Sequence, residues 1–206
     1  MSIETLPSRN GDTTMTVNGR TFTYGDMVRA LFKAMPKQSD EIMHAAIGIA
    51  GERRELYAAT HRTNFIEEAG DLEFYIQALC QTHQQIADAV QALLEDGMLE
   101  ALLSEDLTLS NVFEIMDDSA TAILDHSKKI WAYTKPVGEE PVQGMASAVV
   151  ELYTCLGFLY RMLGIKDGHG AIMLQNAEKL VGKGGRFESF TYSDADAQAR
   201  ADKAGD

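Results

Sequence analysis

Cysteine is nearly missing from this chain: Cys80 and Cys155 are the only two in 206 residues, and both sit inside apolar runs. Two thiols cannot frame a chain of this length, so a disulfide scaffold is excluded and both are expected to be reduced and buried. Positive charge is also in short supply, with 18 Lys and Arg against 31 Asp and Glu, a net charge of −13. Such a surface repels duplex nucleic acid and anionic membranes. It repels a polyphosphate too, unless metal ions and local basic residues reverse the field at one place. No apolar block stands in the first twenty residues, and no secretory signal is visible there. The longest apolar stretch, Val149 to Ile165, is interrupted by Glu151 and Arg161 and is short for a bilayer crossing. These absences give the expectation of a cytoplasmic protein without a membrane partner. Strand-like alternation is lacking as well, which argues against a β fold. What is present, 45% hydrophobic and 24% charged residues, is the composition of an ordinary globular domain with its own core.

Helical periodicity accounts for most of the chain. After a loose polar start, with Thr14 to Thr23 extended or turning at Asn18-Gly19, an amphipathic helix is predicted from Tyr24 to Met35, before Pro36. A second runs from Ser39 to Ala59, with Ser39 as its cap, Asp40 and Glu41 in its first turn, and Ile42, Ala45, Ala46, Ile49 and Leu56 at helical intervals. A third begins at Asn64 or Phe65 and continues past Cys80 towards Leu94. Residues 95–111 read as a connection, 111–133 as a helix and 135–141 as a loop bounded by prolines. Pro141 opens a helix over 142–163, and residues 171–183 form a shorter one stopped by Gly184-Gly185. The class is all-α, an antiparallel bundle in a single domain over residues 1–190, with 191–206 as a flexible tail rich in Ala and Asp.

Within this helical frame, two pairs of acids stand out. Glu52 with Glu55, and Glu68 with Asp71, are each three residues apart, which places both members of a pair on one helix face. The intervening Thr60-His-Arg-Thr-Asn64 is polar and turn-like, so the two helices fold back on one another and the acids converge. Converging carboxylates do not ionise together cheaply, and their natural guest is a hard dication. Magnesium suits them because it takes oxygen ligands and keeps waters, and manganese can replace it. The alternative is a solvated face of two helices, with Arg53, Arg54 and Arg62 in surface ion pairs of little energetic weight.

The stretch Ala45-Ala-Ile-Gly-Ile-Ala-Gly-Glu-Arg-Arg-Glu-Leu56, followed by Ile66-Glu-Glu-Ala-Gly-Asp-Leu-Glu-Phe-Tyr75, resembles the MazG-like all-α nucleoside triphosphate pyrophosphohydrolases. Asn176-Ala-Glu-Lys-Leu180 with Arg186-Phe187 is similar to the pattern of that family's last helix. Together the matches cover about residues 40–80 and 171–190. The resemblance implies hydrolysis of a (d)NTP to the monophosphate and pyrophosphate, for nucleotide-pool control or housecleaning. It implies magnesium held by Glu52, Glu55, Glu68 and Asp71, substrate contacts from Asn176 and Lys179, and assembly into a homodimer or homotetramer. Gly51 departs from the pattern, since many members carry another acid there. A weaker echo over 111–163 resembles a second copy of the acid-bearing helix pair, with Ser119, Ala122, Leu152 and Cys155 in place of the acids. That copy would lend Lys128 or Lys129 to the phosphates.

Other features carry two readings each. Lys183 and Arg186, beside the glycines at 182, 184 and 185, either bind the triphosphate or simply end a helix whose dipole favours cations. Glu67 is the nearest rival to Glu68 and is assigned to solvent or to the metal's outer shell. Glu41 and His44 have the spacing of half a di-iron site, but no second such pair exists, so His44 reads as an ordinary helical residue. Phe74 and Tyr75 stack on a base or fill the core; Trp131 is not assigned to the site. Beside the hydrolase, a non-enzymatic helical interaction module and a di-iron bundle remain as alternative functions. Base and sugar preference is not readable from the sequence.

Overall fold

A computed structural model describes residues 13–96 and 107–199. In chain order it contains β1 (Thr14–Val17), β2 (Arg20–Thr23), α1 (Tyr24–Leu31), α2 (Gln38–Ala58), α3 (Arg62–Thr82), α4 (Gln84–Glu95), α5 (Leu109–Tyr133), α6 (Glu139–Met162), α7 (Gly168–Val181) and α8 (Asp194–Ala199). The all-α class holds, with one small hairpin added. Most of the connection expected over 95–111 lies outside the described residues.

The hairpin pairs Thr14 with Thr23 and Val17 with Arg20. Its turn is Asn18-Gly19, and both residues have positive φ, at 52° and 73°, as a two-residue hairpin turn with the right twist demands. Two strands alone are marginal in water. This pair is held by burying Met15, Val17 and Phe22, with the Phe22 ring edge-on to Phe190 at 4.8 Å. Thr23 then caps α1 reciprocally with Asp26, and α1 turns Tyr24, Met27, Val28 and Leu31 into the core. The helix stops at Phe32, earlier than expected, because Phe32 is already extended.

α2 and α3 form an antiparallel hairpin joined through 59–61, and α5 and α6 form a second. The hairpins meet along α2 and α5, which also run antiparallel: Arg53 pairs with Asp117 near one end, and Trp131 Nε1 donates to Asp40 at 2.9 Å near the other. α4 covers α6, and α7 lies against α3. α6 has the length and composition to cross a membrane, but two thirds of its apolar window (67%) is buried inside this bundle. It is the central core helix. Cys80 and Cys155 are free and buried as expected, and burial pushes both thiols up to about 12.

Two boundaries differ from expectation for identifiable reasons. The helix expected to run from residue 64 or 65 to Leu94 is broken at His83, whose backbone is extended. Thr82 Oγ1 bonds back to the Leu79 carbonyl at 2.7 Å, and Gln38 donates to the Thr82 carbonyl at 2.7 Å, so side chains satisfy the break. The cap of α2 is Lys37 rather than Ser39, and its side chain makes no capping bond. At the C-terminal end, Asp194–Ala199 is a short helix in a stretch expected to be loose. Ser193 caps it through the Asp196 amide, and Lys33 pairs with Asp194 at 2.6 Å. Residues 200–206 lie outside the described residues.

Candidate functional site

The acid pairs are placed by the α2–α3 hairpin. Glu52 and Glu55 lie in the last turns of α2 and Glu68 in the second turn of α3, so the antiparallel fold-back sets them across from one another. One carboxylate oxygen from each of Glu52, Glu55 and Glu68 comes within 4.8 Å of the others. Among the described residues this is the one group of three such side chains close enough to hold an ion. Glu68 is buried, Glu52 partly buried and Glu55 exposed, so the cluster opens to solvent on the Glu55 side. Burial, followed by the charges of Asp71, Glu55 and Glu68, pushes the Glu52 carboxyl up to about 8 against a smaller opposing pull from Lys179. Near neutral pH Glu52 therefore keeps its proton unless a cation takes the proton's place.

Asp71 is held differently. Its Oδ1 accepts from Asn176 Nδ2 at 2.9 Å and its Oδ2 from Lys179 Nζ at 2.5 Å. Lys179 also reaches Glu67 at 3.1 Å. Burial opposes the Lys179 charge, yet Asp71 and Glu67 outweigh it and its pKa is raised, so the ammonium persists. Asn176 and Lys179, expected to contact substrate, thus adjoin the acid site, where both are engaged with carboxylates. Asn176 is only 3% exposed and its carbonyl accepts from the Tyr24 hydroxyl at 3.0 Å. The close packing of α7 on α3 depends on Gly70: a Cβ there would lie 2.9 Å from Asn176 Cβ.

Beside the acids lies a cavity of about 190 Å³ whose wall includes Glu52, Asp71, Arg186, His44, Tyr75 and Tyr192. The Tyr75 ring lies directly on the α2 backbone at Gly48, where an added Cβ would come within 2.2 Å of a ring carbon. His44 stacks on Phe32 at 4.7 Å and 20° between planes, and burial lowers its pKa so that it stays neutral. Burial and the nearby Glu52 and Asp71 charges push the Tyr75 phenol up to about 12, so it keeps its proton. An aromatic slot next to a carboxylate cluster, with a guanidinium in its wall, fits a flat, anionic ligand carried with a cation.

Other assigned residues fall elsewhere. Lys183 is exposed and does not line the cavity. Lys128 is exposed on α5, eleven residues beyond Asp117, the partner of Arg53. At about 1.5 Å of rise per residue that is roughly 16 Å along the bundle from the level of the acids, too far for direct contact with phosphates there. In the second hairpin Ser119 donates to Glu151 at 2.6 Å, and no acid cluster forms among the described residues. Glu41 accepts from the Met35 amide at 3.2 Å and His44 packs on Phe32, so this pair gathers no metal site.

No family model, curated protein or solved structure matches the chain.

Several participants escaped the sequence. Phe32 and Tyr192 line the cavity although nothing in their local pattern marks them, and so does His44, which the sequence read as an ordinary helical residue. Tyr24 acts across 152 residues of chain. Glu73, fully buried, accepts from Tyr160 at 2.6 Å and lies 2.6 Å from His169 Nδ1, joining α3, α6 and α7 beneath the site. A glutamate inside an apolar helical run was the only local signal for it.

Proposed function

We propose that this chain is a Mg2+-dependent hydrolase, with Mn2+ able to substitute, that converts a (deoxy)nucleoside triphosphate to the monophosphate and pyrophosphate. The observation that carries the reading is the approach of the Glu52, Glu55 and Glu68 oxygens to within 4.8 Å. Hard oxygen donors that repel one another, one of them retaining a proton at neutral pH, are the donor set a hard dication relieves. These three glutamates would hold the ion, and Asp71 would support it from the adjoining wall. When bound, the ion neutralises phosphate charge and lowers the pKa of a coordinated water.

The remaining work falls to the chain. Arg186 offers a planar cation to the phosphates, and the rings of Tyr75 and His44 offer stacking faces to the base. Glu52 or Glu55 accepts the proton of the attacking water. Lys179 offsets the surplus of negative charge around Asp71 without leaving the protein. Nucleotide-pool control in the cytoplasm, and assembly as a homodimer or homotetramer, are proposed on the resemblance to the MazG-like enzymes.

The test is to incubate the protein with each (d)NTP and Mg2+ while measuring pyrophosphate and orthophosphate separately. Pyrophosphate release from at least one nucleotide, lost in Glu55→Ala and in Asp71→Ala with helicity intact, is the expected result. Turnover retained in both variants, or no turnover of any nucleotide, rejects the proposal.

A further inference from the structure

We infer that Tyr24 is a positioning residue for the acid site: acting through Asn176, its hydroxyl fixes the orientation of the Asp71 carboxylate. Three elements remote in sequence meet in one hydrogen-bonded line. Tyr24 on α1 donates to Asn176 Oδ1 on α7 at 3.0 Å, and Asn176 Nδ2 donates to Asp71 Oδ1 on α3 at 2.9 Å. The direction of each bond is set by chemistry. A carboxylate only accepts, so the amide must turn its NH2 towards Asp71. Its oxygen then faces Tyr24, and the phenol, which has one proton to give, supplies it there. The other acceptor within reach of that proton, the Gly70 carbonyl, is farther away at 3.4 Å.

The line therefore tolerates one amide orientation, and Tyr24 is the group that distinguishes it from the reverse. Without the hydroxyl, the buried Asn176 oxygen loses its donor and the amide loses the contact that holds it upright on Gly70. Lys179 grips the second Asp71 oxygen at 2.5 Å. With one donor on each oxygen, each still keeps a further lone pair for the cavity side. A carboxylate clamped at both ends presents those lone pairs in a fixed direction, as an ion or its waters require. Partners one bond behind a group at a metal site are worth about 10- to 100-fold in metal affinity or activity; Asn176 stands one bond behind Asp71 and Tyr24 two, so the Tyr24 effect falls at the lower end of that range.

Orientation of Asp71 follows from the hydrogen bonds alone, whereas its effect on a metal rests on the function proposed above. The experiment separates the two. Tyr24→Phe keeps the ring and removes the hydroxyl; Tyr160→Phe does the same at an equally buried phenol that donates to Glu73 instead. In metal-free full-length protein, NMR of the Asn176 side-chain amide should show its protons protected from exchange in the parent and in Tyr160→Phe, and unprotected in Tyr24→Phe. Mn2+ titration followed by electron paramagnetic resonance should give a Kd about tenfold weaker for Tyr24→Phe and within twofold of the parent for Tyr160→Phe. Asn176→Ala should weaken Mn2+ to a similar extent, and adding Tyr24→Phe to it should change nothing more. That double variant also serves if Tyr24→Phe alone folds poorly.

An Asn176 amide as protected in Tyr24→Phe as in the parent overturns the inference. So does additivity of the two substitutions, or equal weakening by Tyr160→Phe. A parent protein that binds no Mn2+ while the amide behaves as described rejects the metal function and leaves the positioning of Asp71 standing.

Discussion

Replacing Glu52 by Gln tests the electrostatics of the site without any substrate. The Glu52 carboxyl, ordinarily near 4.5, is pushed up to about 8 in the metal-free fold, chiefly by burial and then by Asp71, Glu55 and Glu68. A folded value above the unfolded one means that the folded state holds a proton the unfolded chain has released. Stability from this group is therefore complete below about pH 4.5 and is lost as pH rises through about 8. At 1.36 kcal/mol for each tenfold change, the loss is roughly 3 kcal/mol by pH 7 and approaches roughly 5 kcal/mol above pH 8. Gln keeps the shape and carries no such dependence. In a chain of this size about 1 kcal/mol moves Tm by about 2–4 °C, so Glu52→Gln should melt about 6–12 °C above the parent at pH 7 in EDTA. The two should converge near pH 4. Excess Mg2+ or Mn2+ should raise the parent and leave Glu52→Gln nearly unmoved, because a dication takes the place of the proton. Thermal melts across pH 4–9 with and without metal provide the measurement. Parallel melting curves for the two proteins throughout that range would refute the account of Glu52.

Other outcomes follow from individual contacts. Gly48→Ala drives a methyl into the Tyr75 ring; the crowding cost of about 1–3 kcal/mol exceeds the helix-propensity gain of about 1 kcal/mol, so Tm falls modestly while KM for the nucleotide rises sharply in steady-state kinetics. Glu55→Ala, at an exposed position, should shift stability by less than about 0.5 kcal/mol in urea titrations yet abolish turnover, whereas Lys128→Ala should alter neither. Glu73→Ala leaves the buried Tyr160 hydroxyl and His169 without their acceptor, and should cost about 3 kcal/mol or more in the same titrations.

How much of this was visible beforehand depends on the range of the interaction responsible. Helices from 24, 39 and 111 onward declared themselves through apolar spacing, which is local, although the cap expected at Ser39 falls at Lys37. The Asn18-Gly19 turn did so as well, since few dipeptides accept two positive φ values. The convergence of Glu52, Glu55 and Glu68 followed from two local periodicities and a short polar turn. His83 did not announce a break, because the bond that satisfies it comes from Gln38 on another helix. Asn176 and Lys179 were picked out, but their roles depend on which carboxylate stands opposite, and spacing within α7 says nothing of α3. Nor could spacing give the position of Lys128 relative to the acids, since its height along the bundle is set by the α2–α5 register. Tyr24, His44 and Tyr192 are joined to the site by tertiary packing alone.

The order in which these segments leave the ribosome carries a consequence. The acid-bearing hairpin is finished well before α7, so Glu52, Glu68 and Asp71 are gathered while the ammonium and amide that restrain Asp71 do not yet exist. A nascent or C-terminally clipped chain holds an uncompensated knot of negative charge. Translation stalled short of residue 168 should leave the acid-bearing hairpin loosened and prone to proteolysis, and dissolved dications should act on that fragment as a folding aid before any catalysis is possible.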